Sequence, residues 1–410
     1  MKKYIYIIGL LLLLIPLRAS AQQELESYLL IAAENNPGLR AKFNDYMAAL
    51  EVAPQVNTLP DPQAAFAYFI SPVETRVGPQ QFKFSASQLF PWFGTLETKG
   101  NVANQAAKAK YEVFLEARSN LFNEVRSTYF NIYFNQRSIK ITRENLGILG
   151  SFQKLTNIKV EAGQVSAVDA YRIEMEIGDL ENRLALMIDQ SNVLDVMFNN
   201  LLNTEDDLEV QIPSILWSND LPIGKEQIMD TIRSNNHQLL VLSLQQEVLS
   251  FRKELAQKQG KPNFSIGFEY TVIGQGSDNL AGTDAFAFPK IGISIPLYRS
   301  KYRAMVNEVV YLQEAKESEK SDKENLLETI LENVWKEYLD SGRRIGLYKN
   351  QLHFADESLR LLETEYSTGN KNFEEILRME RKFLNYGLEL EKARADKQAA
   401  ISFINYLMGE

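Results

Sequence analysis

The segment that decides the fold is FSIGFEYTV, at residues 264–272. Large apolar side chains alternate strictly with small or polar ones over its whole length. Successive side chains of a β-strand point to opposite faces, so the pattern predicts a strand with one apolar and one polar face. This fits a membrane barrel around a wet lumen, and it also fits a soluble sheet with one buried face. Taken alone, the alternation favours the soluble sheet, because a single barrel strand gives only a weak signal.

Three further segments show the same alternation, at residues 66–70, 82–86 and 291–295. Together they predict two hairpins and therefore four strands in one chain. An open sheet edge carries unpaired backbone groups, which cannot face hydrocarbon. If the strands lie in a membrane, several copies of the chain must close one barrel.

Long helices are predicted on the C-terminal side of each hairpin. From Thr95 to about Val160 there is no proline, and 65 residues of helix would be about 100 Å long. Apolar residues recur every seven positions, which predicts supercoiled packing against a partner helix. The two heptad rows are Val125, Ile132, Ile139 and Leu146, and then Leu331, Tyr338, Ile345, Leu352 and Leu359.

The helical pattern is interrupted at Gly163 and at Gly369, and it resumes afterwards to about Leu202 and Met408. Glycine readily adopts the positive φ that ends a helix. Each long helix is therefore predicted to fold back as an antiparallel hairpin whose tip is the glycine turn.

Matching landmarks indicate an internal duplication. The pairs Asn36 and Asn236, Pro62 and Pro262, Pro91 and Pro296, and Gly163 and Gly369 are separated by 200, 200, 205 and 206 residues. A nearly constant offset is the signature of a repeated structural unit. The predicted organisation is a first repeat at 22–203, a connector at 204–224 and a second repeat at 225–410.

The N-terminus predicts export. Lys2 and Lys3 precede an apolar run of 14 residues from Tyr4 to Leu17, and small residues follow up to Ala21. This order is typical of a secretory signal peptide, predicted here as residues 1–21 and cleaved after Ala21. An uncleaved anchor is the alternative, although the run is shorter than the roughly 20 residues of a spanning helix.

Composition excludes several kinds of chemistry. The 410 residues include no cysteine and only two histidines, His237 and His353, and the formal net charge is −9. Disulfides, thiolate metal sites and cysteine nucleophiles are excluded, and no local histidine motif for a metal exists. An acidic chain also lacks the basic face that nucleic acid requires. We therefore expect no enzymatic activity, no cofactor or metal, and no nucleic-acid partner.

The sequence resembles the TolC family of outer-membrane efflux proteins over nearly the whole predicted mature chain. The specific matches are Asn35-Asn36-Pro37 and the two tip segments at residues 160–169 and 366–377. The resemblance implies an α+β membrane protein that forms a homotrimer. Four strands from each copy would close a transmembrane β-barrel of 12 strands. The long helices would continue it as a coiled-coil α-barrel in the periplasm.

The resemblance also implies a function. Members of the family are exit ducts of tripartite efflux pumps or type I secretion systems in the outer membrane of Gram-negative bacteria. They conduct substrates passively, in contact with outer-membrane lipid. A periplasmic adaptor (membrane fusion) protein and an inner-membrane transporter of the RND, ABC or MFS type deliver those substrates. The alternative is a soluble periplasmic coiled-coil scaffold or interaction protein that has no channel.

Four residues near the tip turns Gly163 and Gly369 match the family's periplasmic gate. An acid at Asp169 would contact Tyr366 and Lys371, and Glu375 would face the constriction. Lysine stands where arginine is expected, and it cannot make a bidentate contact, so a looser latch is predicted. Arg378 replaces a further expected acid. The alternative is that these charges only cap and solvate the helix ends.

Overall fold

The computed structural model describes residues 16–204, 210–276, 283–368 and 373–410, with side chains described from residue 22 onwards. The N-terminal part has helices α1 and α2, the short helix α3, strands β1 and β2, and helices α4 and α5. Their bounds are Pro16–Asn35, Pro37–Leu50, Val52–Val56, Gln63–Thr75, Gly78–Phe90, Thr95–Glu161 and Ala167–Leu202.

The C-terminal part repeats this order with helices α6 and α7, strands β3 and β4, and helices α8 and α9. Their bounds are Lys225–Asn235, His237–Gln259, Asn263–Ile273, Ala285–Ser294, Arg299–Ser367 and Phe373–Leu407. All four predicted strands are present and are longer than their sequence signals. The two long helices have 67 and 69 residues, which makes each about 100 Å long.

The chain forms two compact units. One comprises the residues up to Ala41 together with Leu115–His237 and Glu324–Glu410, and the other comprises Lys42–Phe114 and Gln238–Lys323. Each unit takes segments from both predicted repeats, because α4 and α8 each contribute residues to both units. The boundaries of the signal peptide, the repeats and the connector stay predictions. Helix α1 begins at Pro16 and continues past the predicted cleavage point after Ala21.

The two parts of the chain use the same contact at matching positions. Asn36 separates α1 from α2, and its side-chain amide donates to the carbonyl of Leu201, near the end of α5, at 3.1 Å. Asn236 separates α6 from α7 and donates in the same way to the carbonyl of Leu407 at 2.9 Å. Each asparagine thus satisfies a carbonyl at a helix C-terminus that has no partner within its own helix.

The four strands form one antiparallel sheet in the order β1-β2-β3-β4. The register aligns Phe66, Phe84, Tyr270 and Phe286 in one row across all four strands. All four side chains are exposed, Phe66 to 67% and Phe286 to 65%. One face of the sheet is therefore apolar and uncovered in the single chain.

The opposite face is polar. Glu269 on β3 pairs with Lys83 on β2 and with Lys290 on β4, each at 2.6 Å. The row of Cα partners that contains Glu269 otherwise consists of Ala65, Ser85 and Ala287. The predicted division into an apolar and a polar face is thus present in the sheet.

The heptad repeat of α4 is present, but the predicted row is only partly correct. Val125 and Ile132 are buried, whereas Ile139 and Leu146 are only half-buried. From the middle of α4 onwards, the buried positions include another row with the same spacing of seven. This row consists of Thr128, Asn135, Thr142, Leu149 and Thr156.

These buried polar residues have specific partners. The Asn135 amide donates to the carbonyl of Met187 on α5 at 3.0 Å, and the Thr142 hydroxyl lies 3.7 Å from the Met187 sulfur. Small polar side chains whose hydrogen bonds are satisfied can pack between closely spaced helices, where larger apolar ones do not fit. The prediction, which used only large apolar residues, therefore placed the buried seam of α4 part of a helical turn away from the observed row.

The connector packs against α4 from residue 210 onwards. Leu216 is buried, and its N–H donates to the Tyr133 hydroxyl at 3.1 Å. Tyr133 in turn donates to the Glu391 carboxylate on α9. Burial and the neighbouring Glu391 together raise the pKa of Tyr133 to about 12. Tyr133 thus stays neutral and joins the connector to both hairpins of this unit.

Within the ranges given above, no helix is both long enough and apolar enough to cross a membrane.

Candidate functional site at the helical tips

The turn between α4 and α5 is a Schellman motif. Gly163 has φ +66° and its N–H donates to the carbonyl of Val160, while the N–H of Gln164 donates to that of Lys159 at 2.8 Å. The Ser166 hydroxyl then caps α5 by accepting from the N–H of Val168. The predicted glycine turn is therefore present at Gly163. Its counterpart Gly369 lies outside the described residues.

An apolar core joins the four helices near this turn. It takes buried residues from α4, α5, α8 and α9. They are Leu149, Phe152, Ile173, Leu180, Leu359, Tyr366, Phe373, Ile376, Leu377, Leu384 and Leu388. The two hairpins of the chain therefore share one core at this end. Of the predicted gate residues that the structure describes, Tyr366 belongs to this core, and Asp169 and Glu375 lie on helices that contribute to it.

Tyr366 belongs to this core and is only 2% exposed. Its ring packs on Phe373 with centroids 5.3 Å apart, and its hydroxyl lies 3.4 Å from the Thr156 hydroxyl of α4. The Lys159 ammonium lies 4.0 Å from the ring centroid and donates to the Tyr366 carbonyl. Burial raises the pKa of Tyr366, and the Asp169 charge raises it further, although the Thr156 hydrogen bond lowers it. Tyr366 is therefore a neutral residue that fixes α8 against α4.

Asp169 lies in the first turn of α5, where its carboxylate pairs with Arg172 at 3.3 Å. The same guanidinium reaches Glu374 on α9 at 3.5 Å. Arg172 thus connects the two hairpins through two acids. The sequence interpretation missed Arg172, although its spacing of three residues from Asp169 is that of an ion pair on one helix. The arginine side chain is 42% exposed, so each pair contributes only about 0–1 kcal/mol.

Glu375 pairs with Arg378 one turn later on α9. A further ion pair joins Arg381 of α9 to Glu176 of α5 at 2.8 Å. Lys371, the predicted partner of Asp169, lies outside the described residues. The latch between Asp169 and Lys371 therefore stays a prediction. Among the residues described, no group of three histidines or acids is placed to hold a metal ion.

We expect Gly163→Ala to destabilise the tip by about 1–2 kcal/mol, since a side chain is strained at positive φ. No atom lies within 4 Å of the added Cβ, so the cost arises in the backbone alone. Gly150→Ala is the matched control, because Gly150 lies inside α4 and also has open space around its Cβ. Alanine there should stabilise the helix by about 0.5–1 kcal/mol. Thermal unfolding followed by circular dichroism measures both, and a shift of both midpoints in the same direction would refute the turn assignment.

Comparison with known proteins gives fold relatives at low sequence identity. No protein-family model and no curated protein sequence matches the chain. A membrane protein from Pseudomonas aeruginosa matches 94% of this chain and 93% of its own, with a TM-score of 0.78 and 14% identity. The outer-membrane channel OprN covers 94% and 90%, with a TM-score of 0.78 and 16% identity. The outer membrane protein VceC from Vibrio cholerae covers 94% and 96%, with a TM-score of 0.78 and 13% identity. The chain therefore has the fold of the outer-membrane channels of the TolC family, as its sequence resemblance predicted.

Proposed function

We propose that this protein is an outer-membrane exit duct, which passively conducts substrates that an inner-membrane transporter and a periplasmic adaptor deliver. The observation that carries the proposal is the four-stranded sheet with one uncovered apolar face, in a chain whose fold is that of outer-membrane channels. The duct has no catalytic role. It serves a tripartite efflux pump or a type I secretion system.

The apolar face supports contact with lipid. Ile70 is 93% exposed, and Ile291 and Ile293 on β4 are also exposed. A contiguous apolar surface of this kind is unusual on a soluble monomer. A soluble scaffold, the alternative, would need a protein cover for this face, and no described element of the chain lies over these side chains.

The sheet edges support closure by further copies. Strands β1 and β4 each have one neighbour within the chain, which leaves a row of backbone donors and acceptors on each. In hydrocarbon these groups must pair, and β4 of one copy can pair with β1 of the next around a symmetry axis. Three copies, the number implied by the family resemblance, would close a barrel of twelve strands.

The helices have surfaces suited to the same assembly. Val168, Tyr171 and Met175 form a stripe on α5, and each side chain is more than half exposed. A second such stripe on α8 consists of Leu347, Phe354 and Leu361, at a spacing of seven residues. Apolar heptad rows of this type pack against helices, so neighbouring copies would bury them in a periplasmic α-barrel.

The tip would then be the periplasmic gate. In this proposal the gate comprises Asp169, Tyr366, Lys371 and Glu375. Tyr366 supports it from within the core, and Arg172 adds a contact between the hairpins. The exposed ion pairs are individually weak, and they repeat in each copy. A gate built from many weak contacts can open without unfolding the helices.

The test of the proposed function combines cell fractionation with planar-bilayer recording. We expect the protein in outer-membrane fractions, extractable only with detergent, and we expect the purified protein to form discrete conducting channels. A protein that is released in soluble form and forms no channel would support the scaffold instead.

The two faces of β3 should respond differently to charge. Ile266→Arg would place a cation in lipid and oppose membrane assembly by roughly 2–4 kcal/mol near the bilayer midplane. Ser265→Arg, the adjacent control, should face the lumen and assemble normally. Gly267 is a poorer control, because a Cβ there would lie 2.5 Å from the Ala86 carbonyl oxygen. Yield of heat-resistant oligomer from outer membranes measures the effect, and equal loss in both variants would contradict a membrane barrel.

Removal of the gate charges should favour opening. We expect Asp169→Ala and Lys371→Ala to increase single-channel conductance while the assembly stays intact. The double variant should be less than additive if the two side chains touch. Asp179→Ala, an exposed position further along α5, is the control and should conduct like the parent. Unchanged conductance in all correctly assembled variants would exclude this gate.

A further inference from the structure

Glu380 is buried in the tip core, and only one of its two carboxyl oxygens has a hydrogen-bond donor. It lies on α9 and is 2% exposed. The Asn145 amide of α4 donates to its Oε2 at 2.8 Å. Its Oε1 is also buried and has no hydrogen-bond partner in the described part of the chain. An ionised carboxylate in this place would have one donor, whereas buried charges ordinarily need several.

The charged residues named below, on α8 and α9, do not stabilise the ionised form of Glu380. Glu363 on α8 is a second acid, and its charge opposes ionisation of Glu380. Arg381 is adjacent in sequence but pairs with Glu176 on α5.

The charged residues that lie close in sequence to Asn145 and Glu380 are exposed or already paired. On α4, Arg143 and Glu144 adjoin Asn145 and are exposed. On α9, Arg378 pairs with Glu375. Burial, with a smaller contribution from Glu363, raises the pKa of Glu380 to about 7, although the Asn145 hydrogen bond lowers it.

We propose that Glu380 makes the contact between α4 and α9 sensitive to protons, so that the tip core is tight when this carboxyl is neutral and loosens when it ionises. Glu380 is not one of the gate charges of the proposed function. Its ionisation would make the helical tips respond to the pH of the surrounding solution. The contacts of Glu380 lie within one chain and do not require a channel.

The direction of the pH effect follows from the difference between the pKa of Glu380 in the closed contact and in the opened contact. In an opened, solvated contact the pKa of Glu380 returns to its ordinary value near 4.5, whereas in the closed contact it is about 7. Between these values the opened form loses its proton first, so stability of the closed contact falls as pH rises and is lowest above pH 7. From pH 5.5 to pH 8 the fraction of opened contacts should increase about 30-fold.

The chain contains a matched control. Glu174 lies 206 residues before Glu380, at the equivalent position of the first hairpin by the tip offset, and it is exposed. Glu174→Gln removes the same charge from a solvated site. Glu380→Gln keeps the size and the Asn145 contact of the neutral acid, so it should fold.

Hydrogen–deuterium exchange of the full-length assembled protein tests the proposal. Peptides that cover residues 376–388 are compared at pH 5.5 and pH 8, after correction for intrinsic exchange rates. We expect about 30-fold faster corrected exchange at pH 8 in the parent and in Glu174→Gln, and no change with pH in Glu380→Gln. An identical pH profile in the parent and in Glu380→Gln would overturn the proposal. Exchange does not depend on conductance, so this failure is distinct from failure of the channel function.

Two partner variants separate a proton switch from a purely structural role. Asn145→Ala removes the donor that lowers the pKa of Glu380, so the pH midpoint of loosening should rise. Glu363→Gln removes the charge that raises this pKa, so the midpoint should fall. Changes in packing alone would alter the exchange rate without moving the midpoint in opposite directions, and that result would contradict the proposal.

Discussion

The unpaired backbone edges of β1 and β4 are the constraint on which the proposed assembly depends. Each edge carries N–H and C=O groups that have no partner in the sheet of one chain, and hydrocarbon cannot satisfy them. The same sheet has an apolar face, with Phe66 and Phe286 exposed, which makes water an equally poor environment. In the proposed membrane assembly, further copies of the chain satisfy both requirements. The apolar stripes on α5 and α8 would find partners in the same assembly.

On α4, polar groups as well as large apolar ones line the buried seam. Asn135, Thr142, Asn145 and Thr156 lie in the α4 seam, and each has a partner on α5, α8 or α9. A buried hydrogen bond is lost if its helices shift, so these contacts fix the register of the hairpins. One oxygen of Glu380 has no partner among the described residues, and the same holds for the buried hydroxyls of Ser119 and Ser138 on α4.

Much of the fold could be predicted from sequence because its signals are local. Alternation at residues 264–272 requires only the geometry of a strand, and the glycine turn at Gly163 requires only a positive φ. The buried row of α4 could not be predicted, because the burial of its polar members depends on contacts with other helices. The Thr142 hydroxyl, for example, contacts the sulfur of Met187 on α5. Within the candidate site, Asp169 and Tyr366 were recognised by resemblance to a family. Arg172 was missed although its pair with Asp169 is local, whereas its contact with Glu374 and the burial of Glu380 depend on how two hairpins align.

In the proposed assembly, other copies of the same chain complete the exposed edges and stripes of one chain. Native mass spectrometry of the protein extracted from outer membranes in mild detergent tests this assembly. We expect a single dominant species of three copies, which would supply twelve strands. A stable, folded species of one copy would contradict it, because its sheet edges and apolar face would then have no partner.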